Sequence, residues 1–170
     1  MKNIALIGFM GAGKSTVAEL LAKKLNANLV ETDTEVLRLS GFSNINEIFD
    51  EKGEEYFREL EEKAIEAAVK DGNTIISCGG GVINKKQSME VLKGNADVVF
   101  LHASFEKIKD RLKNTTTRPL FRQEEKAMLL YAQRLSAYRE YAHDMIDTDD
   151  KTPEEVVQII IDKFGSTYGH

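Results

Sequence analysis

The sequence predicts an α/β fold of three layers, with a five-stranded parallel sheet between two layers of helices. Two observations support this fold class. Short apolar runs alternate with longer amphipathic stretches along the chain, and the apolar runs are continuous. Continuous apolar strands are typical of parallel sheets that helices cover on both faces. A chain of 170 residues is long enough for one such domain, so we expect residues 1–170 to form a single unit.

The individual elements follow from two hydrophobic periods. Short apolar runs predict strands at residues 4–7, 27–30, 74–77, 97–101 and 145–147. Amphipathic stretches predict helices at residues 14–25, 33–39, 46–70, 87–92, 105–112, 124–141 and 153–164. Gly53 predicts a break in the third helix, and Pro153 suits the first turn of the last. Residues 113–122 are polar, contain Pro119 and lack a period, which indicates a loop.

Composition and charge restrict the class of protein. Hydrophobic residues make up 42% and charged residues 30%, as in ordinary globular proteins. A net charge of -5 argues against a nucleic-acid-binding surface. No apolar stretch is long enough to span a membrane. The single cysteine, Cys78, excludes an internal disulfide and fits a reducing compartment. We expect a cytoplasmic monomer that binds neither nucleic acid nor a membrane.

The segment GFMGAGKST, residues 8–16, matches the phosphate-binding pattern G-x-x-x-x-G-K-[ST] between a predicted strand and a predicted helix. Glycines let backbone amides approach a phosphate closely, and the following helix directs its positive end there. A lysine adds charge at the terminal phosphates, and a serine hydroxyl can bind Mg²⁺. The segment therefore predicts a nucleotide site; a plain glycine-rich turn is the alternative. We name this segment the phosphate loop and expect these residues to bind the nucleotide: Gly11, Ala12, Gly13, Lys14, Ser15 and Thr16.

Two acids follow the second predicted strand, at the edge where the phosphates are expected. Asp33 can orient or deprotonate a hydroxyl group, or it can cap the helix that follows. Glu31 can reach metal-bound water or be a surface acid. An apolar strand that ends in Asp and an N-K-x-D run are both absent from the sequence. These absences disfavour motor ATPases and signalling GTPases.

A glycine triplet, residues 79–81, follows the third predicted strand and should lie at the same edge. A second glycine-rich segment beside the phosphates predicts that its backbone amides bind a small polar substrate. The alternative is an ordinary turn between a strand and a helix. Arginine is rare here, so Arg58 and Arg139 can mark sites that need a planar guanidinium, or can form ion pairs on helix surfaces. Arg118, in the polar loop, can add charge over a phosphate.

These segments together resemble the shikimate kinase family over nearly the whole chain. The residues that carry the resemblance are GFMGAGKST, ETDTE, FRELE, GGGV, RPL and YRE, in that order. The resemblance implies a P-loop fold like that of nucleoside-monophosphate kinases. It implies transfer of phosphate from ATP, with Mg²⁺, to the 3-hydroxyl of shikimate in aromatic amino-acid biosynthesis. A mobile lid at about residues 113–124 and a substrate-binding segment at about residues 33–61 are also implied.

The resemblance also implies roles for single residues. Lys14, Asp33 and Arg118 are expected to be catalytic, with Asp33 contacting the acceptor hydroxyl. Substrate contacts are expected from Asp33, Phe49, Phe57, Arg58, Gly79, Gly80, Gly81 and Arg139, and nucleotide contacts also from Arg111, Arg118, Thr152 and Pro153. Ser15 and, through water, Glu31 are expected to hold the metal, although the family usually has Asp at residue 31. A gluconate or nucleotide kinase and a nucleotide-dependent regulatory module are the alternatives.

Overall fold

The structure is a computed structural model that describes residues 2–112 and 124–165. Its elements are, in chain order, β1 (Asn3–Ile7), α1 (Lys14–Leu25), β2 (Asn28–Glu31), α2 (Thr32–Ser40), α3 (Ile45–Ala68), β3 (Thr74–Ser77), a 3-10 turn (Val82–Asn84), α4 (Lys86–Asn95), β4 (Ala96–His102), α5 (Phe105–Leu112), α6 (Glu124–Tyr141), β5 (Asp144–Asp147) and α7 (Pro153–Phe164). The predicted loop and Arg118 lie outside the described residues, as does nearly all of the predicted lid.

The five strands form one parallel sheet in the order β2-β3-β1-β4-β5. This sheet confirms the predicted fold class. Because all strands run the same way, their carboxyl ends meet at one edge, where ligands of open α/β sheets bind. The phosphate loop follows β1, residues 32 and 33 follow β2, and the glycine triplet follows β3. The topology therefore brings three of the predicted site segments to one edge.

Side chains of β1 alternate between two hydrophobic clusters, one on each face of the sheet. Ile4 and Leu6 pack in a cluster with apolar residues of α1 and α7. Ala5 and Ile7 pack in the other cluster, which includes residues of α3, α4, α5 and α6. Both faces of the central strand are thus buried, which explains why its sequence is continuously apolar.

The substrate-binding segment has a small cluster of its own. Val36 of α2 packs with Ile48 and Phe57 of α3. Between the last two residues, Gly53 has φ 86° and ψ 170°, so α3 consists of two helices separated by a sharp break. A φ in this range suits glycine, which has no Cβ to clash with the backbone. The predicted break in this helix is confirmed at that residue.

None of the helices in the described ranges has the length and apolar character needed to cross a membrane.

Asn3 joins three parts of the chain below the sheet edge that is opposite the phosphate loop. Its side chain is buried, and its Nδ2 donates to the carbonyl oxygens of Val69, at 3.1 Å, and Asn95, at 3.0 Å. Its Oδ1 accepts from the Thr74 amide at 3.1 Å. One side chain therefore satisfies backbone groups at the ends of α3, α4 and β3, groups that would otherwise lack partners.

We expect Asn3→Ala to lower the free energy of unfolding by about 2–4 kcal/mol, because buried backbone groups lose their partners. Urea denaturation measures this value. Asn95→Ala is the matched control, since it keeps the carbonyl that Asn3 contacts, and we expect a loss of less than about 1 kcal/mol. Equal losses in the two variants would contradict this role of Asn3.

Candidate active site

Two adjoining cavities open at the carboxyl edge of the sheet. The first, of about 240 Å³, is lined by the phosphate loop and by residues that follow β2 and β3. The second, of about 550 Å³, is lined by α2, α3, α6 and the glycine triplet. The cavities share Met10, Asp33, Gly79 and Gly80. Two ligands that fill them would therefore meet beside the Asp33 carboxylate.

The phosphate loop is held in a tight conformation around Lys14. Gly11 has φ 84° and Gly13 has φ 91°, values in the left-handed region. The Lys14 ammonium group is mostly buried and donates to the carbonyl oxygens of Gly8 and Phe9. The first cavity is lined by Gly11, Gly13, Lys14, Ser15 and Thr16, whereas Ala12 is buried. The loop thus combines a lysine with the N-terminus of α1, an arrangement that binds phosphates.

Two acids at the first cavity are Glu31, the last residue of β2, and Asp33, which follows this strand. Asp33 lies in the first turn of α2, whose N-cap is Glu31, so the alternative that Asp33 caps this helix is wrong. The Oδ1 atom of Asp33 is 2.7 Å from the position of a Cβ built on Gly79. The Glu31 Oε1 is buried, with no hydrogen-bond partner among the described residues. Such an atom is available to water bound to a metal.

A buried ion pair on α3 forms one wall of the second cavity. Arg58 Nη1 donates to Glu61 Oε1 at 2.9 Å, and Arg58 Nε donates to Glu54 Oε2 at 3.2 Å. The guanidinium carbon of Arg58 is 4.9 Å from the centroid of the Phe57 ring, on which Phe49 stacks at 4.9 Å. Arg58 therefore forms an ion pair with Glu61. The alternative prediction was an ion pair on the helix surface, whereas this pair is buried beside the cavity.

Burial determines the charge state of the Glu61 carboxyl group. Removal from water is the largest effect and raises its pKa, as does the Asp33 charge, whereas the charge and hydrogen bond of Arg58 and the charge of Arg134 lower it. The net result of these effects is a pKa of about 7. The second carboxylate oxygen of Glu61 is buried without a hydrogen-bond partner in the described part of the chain. Desolvation thus exceeds the effect of the arginine, and this carboxyl titrates near neutral pH.

The second arginine of this cavity is Arg134, not Arg139. Arg139 is exposed on α6 and does not line the cavity, whereas Arg134 does. Buried Tyr138, whose hydroxyl donates to the Gly80 carbonyl, fixes the rotation of α6. Arg134, four residues before Tyr138, shares its face of the helix, and Arg139 is turned about 100° away. Arg139, which was predicted to contact the substrate, therefore lies outside the second cavity, and Arg134 is the arginine of α6 at its wall.

The residues that were predicted to hold adenine lie outside both cavities. Arg111 Nη1 donates to the Gly11 carbonyl at 3.0 Å and so joins α5 to the phosphate loop. Thr152 caps α7 by accepting from the Glu155 amide, and Pro153 is the first residue of that helix. The cap explains Thr152 and Pro153 locally, so an adenine contact stays a prediction for them.

Metal binding would depend on few protein ligands. Within the described ranges, no three His, Cys, Asp or Glu side chains come together as a protein-only metal site. Ser15 and Glu31 both line the first cavity, and the Oε1 atom of Glu31 is buried without a hydrogen-bond partner among the described residues. This oxygen donor set suits Mg²⁺, which keeps several waters and commonly uses substrate phosphates as ligands.

Comparisons with known proteins agree over almost the whole length. The family model for shikimate kinase matches residues 10–164. The shikimate kinase of Sulfurihydrogenibium sp. is 46% identical over 164 residues, which cover 96% of this chain and 98% of that relative. The chain is also similar to a solved Acinetobacter baumannii shikimate kinase in complex with shikimate, at 32% identity and a TM-score of 0.89, covering 98% of this chain and 94% of that one.

A second solved structure, the shikimate kinase of Aquifex aeolicus, is 34% identical with a TM-score of 0.83, and the match covers 98% of this chain and 99% of that one. The structure and the comparisons agree. Two adjoining cavities lie at the carboxyl edge of the sheet, one at the phosphate loop and one with arginines in its wall, and the family model matches most of the sequence. The chain belongs to the shikimate kinase family.

Proposed function

We propose that this enzyme transfers the γ-phosphoryl group of ATP to the 3-hydroxyl group of shikimate. The observation that carries the proposal is the shared Asp33 between the two cavities, one walled by Lys14 and the other by Arg58. One cavity suits the phosphates of ATP, and the other suits a small anion with hydroxyl groups. Family membership favours shikimate over gluconate or a nucleotide as the acceptor, and an enzyme over a regulatory module.

The nucleotide phosphates would lie on the phosphate loop. Its backbone amides and the N-terminus of α1 face the first cavity, and Lys14 would contact the terminal phosphates. Ser15, with Glu31 acting through water, would hold Mg²⁺, which supplies positive charge between the β- and γ-phosphates. We keep Arg111, Thr152 and Pro153 as proposed adenine contacts, and Arg118 as a second cation on the transferred group.

Asp33 would orient the acceptor hydroxyl and receive its proton. As the bond between the 3-oxygen and the γ-phosphorus forms, the bond from that phosphorus to the β-phosphate oxygen breaks and ADP leaves. Lys14 would stabilise the charge on the transferred group. Asp33 lines both cavities, so its carboxylate lies where the two substrates would meet.

The shikimate carboxylate would lie between Arg58 and Arg134. Both guanidinium groups line the second cavity, and planar guanidinium groups bind carboxylates through paired hydrogen bonds. The backbone of the glycine triplet would contact the hydroxyl groups, while Phe49 and Phe57 would flank the ring. We further propose that the enzyme is a monomer. We also propose that it works in the cytoplasm, since its single cysteine suits a reducing compartment.

The reaction is tested by coupled measurement of ADP release with shikimate, gluconate and nucleoside monophosphates as separate acceptors. We expect turnover with shikimate and a far lower rate with each other acceptor. Turnover confined to another acceptor, or ATP binding without any acceptor activity, would overturn the proposal.

We expect Asp33→Asn to lower kcat by about 100- to 10,000-fold, because an amide cannot take the hydroxyl proton. The coupled ADP-release assay gives kcat, and calorimetry with MgADP gives nucleotide affinity, which we expect to stay within about 2-fold of that of the unmodified enzyme. Near-normal turnover in this variant would remove Asp33 from the base role.

We expect Arg134→Gln to raise the KM for shikimate by about 30-fold or more, since a charged hydrogen-bonded partner of the carboxylate is lost. Arg139→Gln is the matched control from the same helix, and its KM should change by less than about 2-fold. The KM for ATP should stay similar in both variants. A large effect of Arg139→Gln with none of Arg134→Gln would restore the original assignment.

We expect shikimate binding to weaken as the pH rises through about 7, where Glu61 ionises. A bound carboxylate disfavours a second negative charge nearby, so it raises the pKa of Glu61 further and prefers the protonated form. A further rise of about one pKa unit would weaken binding up to about 10-fold above pH 8.

Calorimetry with shikimate alone, from pH 6 to pH 8.5, measures this dependence without the titration of ATP. Glu61→Gln keeps an acceptor for Arg58 and removes the titrating group, so its affinity should vary little with pH. A dependence that persists in Glu61→Gln would show that another group is responsible.

A further inference from the structure

Phe9 is a residue of the phosphate loop whose side chain lies on the acceptor side of the molecule. Its ring is 2% exposed, lines neither cavity and packs in the hydrophobic cluster that includes Tyr138 of α6. The Arg134 guanidinium carbon is 5.9 Å from the centroid of this ring. At that distance and with little water, the face of an aromatic ring attracts a guanidinium group.

The Arg134 side chain has little other polar restraint in the described part of the protein. Its Nε is buried without a hydrogen-bond partner there, although its guanidinium group interacts with the Tyr138 hydroxyl. Its Nη1 lies 3.3 Å from the position of a Cβ built on Gly80, at the cavity wall. An arginine has several rotatable bonds, and ordering them on binding costs affinity unless another contact has already fixed the side chain.

Further aromatic contacts hold the Phe9 ring in place. Tyr131 meets it edge-on at 5.4 Å with an interplanar angle of 76°, and the Tyr131 hydroxyl donates to the Ala103 carbonyl at 2.7 Å. Phe105 also packs on Tyr131, and the centroids of these two rings are 5.6 Å apart. The backbone of Phe9 is fixed as well, because its carbonyl accepts from the Ala12 amide and from Lys14.

We propose that Phe9 is a positioning residue that orients the Arg134 guanidinium group for the substrate carboxylate. The phosphate loop then serves the acceptor as well as the nucleotide, through a side chain that touches neither. This inference rests on the proposed function, in which Arg134 binds the carboxylate. A buried phenylalanine that only fills the core would affect stability, with no dependence on Arg134.

The test compares Phe9→Leu with Phe105→Leu, in the unmodified enzyme and in the Arg134→Gln background. Both single changes remove a ring that packs on Tyr131, and Phe9 is the ring that lies beside the Arg134 guanidinium carbon. Calorimetry gives the Kd for shikimate and for MgADP. We expect Phe9→Leu to weaken shikimate binding by about 3- to 10-fold with MgADP binding unchanged, and Phe105→Leu to have less than about 2-fold effect on either.

In the Arg134→Gln background, Phe9→Leu should change the Kd for shikimate by less than about 2-fold, since the group that it positions is gone. An equal effect of Phe9→Leu in both backgrounds, or no effect in either, would overturn the inference. A shikimate Kd that is unchanged by Arg134→Gln alone would instead overturn the carboxylate assignment on which it rests. Phe9→Met, a closer match in volume, repeats the comparison if Phe9→Leu does not fold.

Discussion

The site depends on the absence of side chains at residues 79–81. A Cβ on Gly79 would lie 2.7 Å from Asp33 Oδ1, and a Cβ on Gly81 would lie 2.2 Å from Arg58 Nη2. Between them, a Cβ on Gly80 would approach Arg134 Nη1 to 3.3 Å. Three consecutive residues thus each face a different polar group from a different helix. A side chain on any residue of this triplet would displace one of these three polar groups from its place at the second cavity.

The charged groups of the second cavity include a carboxyl group whose burial is energetically unfavourable. Glu61 is fully buried, and its desolvation exceeds the stabilisation that Arg58 provides. A buried ion pair of this kind is weak evidence for stability, because the loss of hydration opposes the attraction. Its positional effect is clearer, since Glu54 and Glu61 hold Nε and Nη1 of Arg58 and leave Nη2 directed at Gly81.

The sequence was sufficient for the fold class and for most element boundaries. Helices 14–25, 105–112, 124–141 and 153–164 have the predicted bounds, and a capping box with Pro153 marks the start of the last one. The 3-10 turn Val82–Asn84 was missed, since its apolar residues are buried without a recognisable period. Several strand edges differ by one residue, as at Asn3 and His102, because hydrogen bonding to neighbouring strands sets them.

The position of Arg139 outside the second cavity was not visible in the sequence, for a physical reason. Apolar residues are spread around α6, with Met128 and Leu129 exposed, so its sequence does not reveal which side meets the core. The buried Tyr138 sets that rotation, and a motif that pairs Tyr138 with the next residue ignores the 100° turn between them. The pKa of Glu61 was also beyond the sequence, because it depends on burial by residues far away in the chain.

The strand order explains how the two cavities come to lie side by side. β3 lies between β1, which leads into the phosphate loop, and β2, which leads into Asp33. Neighbouring strands are about 4.8 Å apart, so the ends of β1 and β2 are separated by about 10 Å. The bare triplet after β3 occupies the middle of that gap. A side chain in the triplet would meet Asp33, Arg134 or Arg58, so these glycines allow the three polar groups to approach the backbone between the two cavities.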